Sequence, residues 1–332
     1  MGRVEASNTA LDNARDQPDD TLSVIICSYT LARWDDLERA VASAQNQTLP
    51  AHEVIVVIDG DVELKRRADQ RLKGATVLMN THPPGLSGAR QTGADHASGA
   101  ILVFLDDDAI ADDDWLEQLL AAYEDPNVLG VGGLIEPLWR EPAPRWFPAE
   151  FNWVVGCTYA GMPVKTTRIR NPIGANMSVW ASVLSSAGAF DSRLGRTDGR
   201  KGLYGTAEET EFGIRTTAAH PGRYWVYRPQ ARVHHVVSAE RATWRYFLRR
   251  CLVEGRAKAV LAGVTGPRDG LESERIYARS VLPRAVVRGI GEALRGDSGG
   301  LARAGAIVTG LGVTTLAYAR TRITTIRPGQ RD

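Results

Sequence analysis

The sequence predicts an α/β fold with a mostly parallel central sheet and flanking helices, followed by a helical, basic C-terminal extension. Three observations carry that expectation. Short β-branched runs recur between stretches of helical periodicity. Each run is apolar throughout instead of alternating, as strands covered on both faces are. Polar residues, several of them acidic, follow three of the runs directly.

Taken in order, residues 1–20 are polar, include Asp12, Asp16, Asp19 and Asp20, and hold no apolar stretch. They read as a disordered leader and not as a signal peptide. SVIIC at 23–27 is the first strand, and the 34–45 segment sets Leu37, Ala40, Val41 and Ala44 on one helical face. VIVVI at 54–58, residues 75–79 and ILVFL at 101–105 are the next strands, with helical segments around 63–72 and 87–97 between them. A glycine-rich strand at 128–135 is followed by a stretch holding Trp139, Trp146 and Trp153. Irregular segments of that length are usually functional or disordered, and three tryptophans favour an ordered substrate-side loop. Helix and strand pieces follow over 168–190, 207–219 and 224–237. The α/β domain thus spans 21–240 and the extension 241–332.

The chain has 332 residues with 43% hydrophobic content, enough to bury a core and incompatible with a disordered or collagen-like polymer. Cys27, Cys157 and Cys251 lie too far apart for a zinc or disulfide framework, which favours a reducing, cytoplasmic compartment. Its 40 basic and 39 acidic residues nearly cancel, but residues 240–332 hold 17 Arg or Lys against 8 Asp or Glu. A basic segment of this kind meets something anionic or packs on its own domain. Arg241, Arg245, Arg249, Arg250 and Arg256 alternate with Trp244, Tyr246 and Phe247, a pattern suited to an anionic membrane surface, here the inner face of the plasma membrane. Nucleic acid is disfavoured as a partner because no nucleic-acid-binding motif accompanies the charge. The uncharged stretch 304–319 contains Gly305, Gly310 and Gly312 and is short for a bilayer span, so it is expected to lie on a membrane at most.

Chemistry concentrates in FLDDDAIADDDWL. Asp106, Asp107 and Asp108 stand together at a strand end, where open α/β sheets bind their ligands. Adjacent like charges repel, so the group makes most sense around a hard divalent cation, Mn²⁺ or Mg²⁺. Asp112, Asp113 and Asp114 precede Trp115 and read as a helix start. Asp59 and Asp61 bring further carboxylates to the same sheet edge.

With these motifs the sequence resembles the inverting family 2 glycosyltransferases of the GT-A fold. The matching segments are SVIICSYT at 23–30, VIVVIDG at 54–60, GLSGARQTGADHASGAILVFLDDD at 85–108, GANMSVW at 174–180, GAFD at 188–191 and AEETEFGIR at 207–215. The resemblance implies a UDP-sugar donor, a metal-bridged diphosphate and a carboxylate base. Asp59 matches the acid that meets uracil or ribose, with Ser28 and Tyr29 beside it. Arg90 matches the basic nucleotide-side residue. Asp106, Asp107 and Asp108 contain the Asp-x-Asp pair, with Asp106 and Asp108 as its acids. The segment at 207–211 is similar to Glu-Asp-x-Asp, whose second acid is the base, which implies Glu209, with Glu208 as competitor. As helix-start acids, Glu208, Glu209 and Glu211 would have a simpler role, with Glu211 pairing Arg215. His235 resembles a family histidine that completes the metal shell, and strand alternation puts it opposite His234.

WFPAEFNWVVGC at 146–157 is similar to the glucosyl-dolichyl-phosphate glucuronosyltransferase-like branch. That implies UDP-glucuronate as donor, a lipid-linked or small-molecule glycosyl acceptor, and Arg168, Arg170 and Arg196 as candidates for the donor carboxylate. Two other readings stay open: a nucleotidyltransferase, although 27–30 has no glycine for a phosphate loop, and a non-catalytic nucleotide-sugar-binding protein.

Overall fold

The first apolar runs become β1 (Leu22–Ser28), β2 (Glu53–Ile58), β3 (Thr76–Met79) and β4 (Ile101–Asp106). Between them run α1 (Trp34–Gln45), α2 (Val62–Arg71) and α3 (Leu86–His96). α1 buries Leu37, Ala40, Val41 and Ala44, the face set by its periodicity. α2 begins where Asp61 accepts a hydrogen bond from the Leu64 amide at 2.9 Å, a side-chain cap on an otherwise unpaired N–H. The structure, a computed structural model, describes residues 20–188, 190, 208–264 and 272–325. Most of the expected leader (1–19) and Arg196 lie outside the described residues.

The chain continues through β5 (Ala109–Ala111), α4 (Trp115–Leu120), β6 (Val128–Trp139), β7 (Thr167–Ile169), β8 (Asn176–Trp180), α5 (Ala181–Ala187), α6 (Glu208–Ala219) and β9 (Tyr224–Val237). Among the described residues the nine strands form one sheet in the order β3-β2-β1-β4-β8-β6-β9-β5, with β7 beside β9. β3, β2, β1 and β4 are parallel, joined by helical crossovers. Beyond β4 the sheet is mixed. β8 runs antiparallel to β4 and β6, β6 is parallel to β9, and β5 and β7 run antiparallel to β9. The sheet carries its apolar core on both faces, one side under α1 and α2, the other under α3, α5 and α6.

The chain beyond residue 240 is helical. α7 (Trp244–Val264) is followed by α8 (Glu272–Ile276), a π-helical turn (Tyr277–Val281), α9 (Leu282–Leu294) and α10 (Gly299–Thr325). Phe247, Cys251, Leu282, Ala285, Ala306 and Ile307 are buried in the same apolar cluster as β1 and β4. The tryptophan-rich stretch is joined to α7 by aromatic contacts, with Trp146 edge-on to Trp244 at 4.9 Å and Phe147 edge-on to Phe247 at 5.8 Å. α10 is longer than its uncharged sequence suggests and, by length and composition, could cross a membrane. In the structure it packs along α7 and α9. Leu301, Val308, Leu316 and Ile323 remain exposed along it.

Candidate active site

The site lies at the C-terminal edge of the parallel strands. After β2, Asp59 is held by two donors: the Gly85 amide at 2.7 Å and Asn80 Nδ2 at 2.6 Å. Gly85 starts α3 with φ +122, a backbone conformation that L side chains rarely adopt, and it aims its N–H at the carboxylate. At the end of β1, Ser28 Oγ donates to Asp107 at 2.6 Å. Tyr29 is exposed beside it, with the Arg33 guanidinium 5.3 Å from its ring centroid.

Asp106 ends β4, and Asp108 immediately precedes β5. β5 pairs with β9 so that Ala109 opposes His235. This pairing sets the imidazole beside Asp108, with Nε2 3.1 Å from Oδ1. Ligand atoms of Asp106, Asp108 and His235 all lie within 4.8 Å of one another. Two carboxylates and an imidazole converging in this way fit a divalent cation. His234, one residue away and on the other face, meets Asp112 at 2.8 Å.

The charges around this trio are balanced by cations. Arg33 lies 2.9 Å from Asp107 and 3.3 Å from Asp108, and Arg241 lies 3.2 Å from Asp108. Burial alone would raise the Asp108 pKa, yet His235, Arg241 and Arg33 outweigh it and hold the group well below the carboxylate range. For Asp107, burial and the neighbouring Asp108 charge win over Arg33 and Ser28, and its pKa moves up. Burial would lower His235, but Asp108 lifts it to about 10. Cys157 adds to the rise, and the buried Nδ1 has no hydrogen-bond partner among the described residues.

Arg90, buried on α3, joins this group to the start of α6. It contacts Glu208 at 2.9 Å, Glu209 at 3.3 Å and Asp106 at 3.6 Å. Burial disfavours its charge, but the carboxylates outweigh that cost and raise its pKa. Glu208 is also hydrogen-bonded by Ser87 at 2.6 Å. The Glu208 side chain is 3% exposed and that of Glu209 19%, so Glu209 is the more accessible acid. Gly174 presses its backbone against this pair, and a Cβ there would collide with Glu209 Oε1 and the Arg90 guanidinium. Glu211 pairs with Arg215 at 2.7 Å, as the helix-start reading expects.

A cavity of about 880 Å³ opens from these residues, lined at one end by Arg90, Asp106, Glu208, Glu209 and His235. Arg168 and Arg170 also line it, but both are engaged elsewhere. Arg168 stacks 3.7 Å over Tyr224, and Arg170 makes two bonds to Glu274 at 2.9 and 2.8 Å. Sequence reading missed Arg33 and Asn80, whose only signal is their position in polar segments after strands, and Ser87, in the first turn of α3. Arg241 was visible only as one of the arginines of the basic extension.

Comparisons with known proteins agree with the architecture. The profile described as glycosyl transferase family 2 matches residues 23–186. A glucosyl-dolichyl phosphate glucuronosyltransferase of Haloferax volcanii is 31% identical over 72% of this chain and 77% of its own length. The succinoglycan biosynthesis protein ExoM of Rhizobium meliloti is 28% identical over 72% of this chain and 75% of its own. A crystal structure of GalNAc-T7 with UDP, GalNAc and Mn²⁺ shares the fold at a TM-score of 0.51 and 19% identity. The match covers 72% of this chain and 48% of that one. The chain belongs to glycosyl transferase family 2 and is an enzyme of the glycosyltransferase class. The nucleotidyltransferase and non-catalytic readings fall away.

Proposed function

We propose that the protein transfers a sugar, with inversion, from a UDP-sugar to a hydroxyl of a lipid-linked or small-molecule glycosyl acceptor, with UDP-glucuronate as the favoured donor. The observation that carries this reading is the meeting, through Arg90, of the Asp106, Asp108 and His235 group with Glu208 and Glu209 at one end of a cavity. The name of the Haloferax relative supports the glucuronosyl donor and the dolichyl phosphate-linked acceptor.

Asp59, fixed by Gly85 and Asn80, receives the nucleoside, with Ser28 and Tyr29 on the same edge. Asp106, Asp108 and His235 would hold Mn²⁺ or Mg²⁺, with Asp107 braced behind them by Ser28 and Arg33. When bound, such a cation stabilises charge developing on the departing diphosphate. Glu209 takes the proton of the acceptor hydroxyl as its oxygen bonds to the anomeric carbon; the bond to the β-phosphate oxygen breaks and UDP leaves. Arg90 keeps Glu209 oriented and, with Ser87, occupies Glu208, which supports Glu209 as the base.

Glu209→Gln should retain UDP binding while transfer falls by about 10²- to 10⁴-fold, the usual range for a general base. A wild-type rate would remove Glu209 as base and pass the role to Glu208. Asp108→Ala should abolish divalent-dependent UDP release, and unchanged turnover would reject the metal assignment.

A further inference from the structure

The far wall of the cavity is built by chain beyond residue 240, outside the stretch matched by the family profile. α7, residues 274–282 and α10 contribute it. A short segment between β7 and β8, residues 170–174, runs from this wall to the catalytic end. It touches α6 at two points. Gly213 lies so close that a Cβ there would come within 2.6 Å of Asn171 Cβ and 2.8 Å of the Arg170 carbonyl oxygen. Gly174 meets Glu209 and the Arg90 guanidinium equally closely. Glu209 and Gly213 are four residues apart, so they stand one above the other on the same helix face. Packing this tight leaves no slack, and a shift of the segment is transmitted to the Glu209 carboxylate.

The other end of the segment is held by the C-terminal extension. Arg170 donates Nη1 to Glu274 Oε2 at 2.9 Å and Nη2 to Oε1 at 2.8 Å. A bidentate pair of this kind fixes direction as well as distance. Arg170 Nε donates to Asn171 Oδ1 at 2.9 Å, and Asn171 Nδ2 donates to the Pro172 carbonyl at 2.9 Å, which ties the guanidinium to the segment's own backbone. Glu274, on α8, is held in turn by Lys258 on α7 at 2.7 Å, and Lys258 lies 3.4 Å from Glu254. α7 itself is packed on α10, where a Cβ at Gly255 would strike the Thr314 carbonyl and Ala317. The charges in this chain of contacts answer one another, so the chain joins two parts of the molecule instead of awaiting a ligand.

We propose that Arg170, Glu274 and Lys258 are positioning residues for the transfer step: through residues 170–174, the C-terminal extension holds Glu209 in place beside Arg90. The inference rests on the reading of Glu209 as the base. It adds that the chain beyond residue 240 does more than close the cavity, because it sets where the base stands.

Hydrogen–deuterium exchange of the full chain tests the linkage without any substrate. In Arg170→Gln and in Glu274→Gln, peptides covering 170–180 and 208–219 should exchange about tenfold faster, the effect of one lost charge-assisted bond, and their gain should exceed that of peptides from β1 to β4. The double variant should exchange no faster than Arg170→Gln, since the two side chains form one link. The second arm is Mn²⁺-dependent UDP release from whichever UDP-sugar is turned over fastest, with water as acceptor. Arg170→Gln should lower kcat about tenfold, less than a full 1 Å misplacement costs, with UDP affinity unchanged. In a Glu209→Gln background the same substitution should alter the residual rate by less than about twofold, because the group it positions is gone. An equal gain in exchange across all peptides, a wild-type kcat in Arg170→Gln, or a further loss of about tenfold in the Glu209→Gln background would each overturn the proposal. A wild-type rate in Glu209→Gln alone would instead overturn the reading of the base on which it rests.

Discussion

At Gly174 the smallest side chain governs two of the largest charges in the site. Its backbone lies where a Cβ would strike Glu209 and Arg90, so even alanine has to push one of them aside. Gly174→Ala should fold, bind UDP with little change and lose about 10²-fold in turnover, because a displacement near 1 Å in a catalytic group has that order of effect. Steady-state rates beside UDP titrations check it. GANMSVW at 174–180 is visible as a motif in the sequence, but the reason for its glycine is not, since the colliding atoms come from α3 and α6. His235 was easier to read. Strand alternation alone separates it from His234, and the structure turns the two toward Asp108 and Asp112 respectively.

Among the elements, the parallel strands were the legible part, because a strand buried on both faces writes itself as an unbroken apolar run. The mixed half was not. β6 and β9 pair across a long excursion, and β5 is only three residues long, beside β9. The wall contributed by α8 and α7 was equally hidden, since the Lys258–Glu274 pair joins separate helices. Glu274 reports on that wall. Burial would raise its pKa, but Lys258 and Arg170 bring it down to about 2. A carboxylate with a depressed pKa stabilises the fold above its ordinary pKa of 4.5 and loses that contribution as pH falls toward 2. Glu274→Gln should therefore melt several degrees below wild type at pH 7, with the gap closing between pH 4.5 and 2. Thermal melts across that window decide it, and a gap independent of pH would assign the loss to packing.

For the whole molecule, the near-neutral total hides a division of labour. Carboxylates gather at the sheet edge, and basic residues dominate the helices that cover the cavity. Those helices also present apolar residues outward: Val287, Ile290 and Leu294 follow one face of α9, with Ile276 exposed at the cavity rim. We propose that this face rests on an anionic membrane surface, on the cytoplasmic side, with Arg side chains at headgroup level. The full chain should float with phosphatidylserine-containing vesicles, and a Val287→Ser, Ile290→Ser, Leu294→Ser variant should largely remain in the pellet fraction. Equal flotation would reject these residues as the contact.

The rim of the cavity and the outward apolar face belong to the same short run of helices. A chain resting on that face would not search a volume for an amphiphilic acceptor. It would encounter the acceptor by lateral diffusion in a plane, and its rate would follow the mole fraction of acceptor in the surface. Diluting that surface with inert lipid would slow the enzyme while the amount of acceptor in the tube stayed the same.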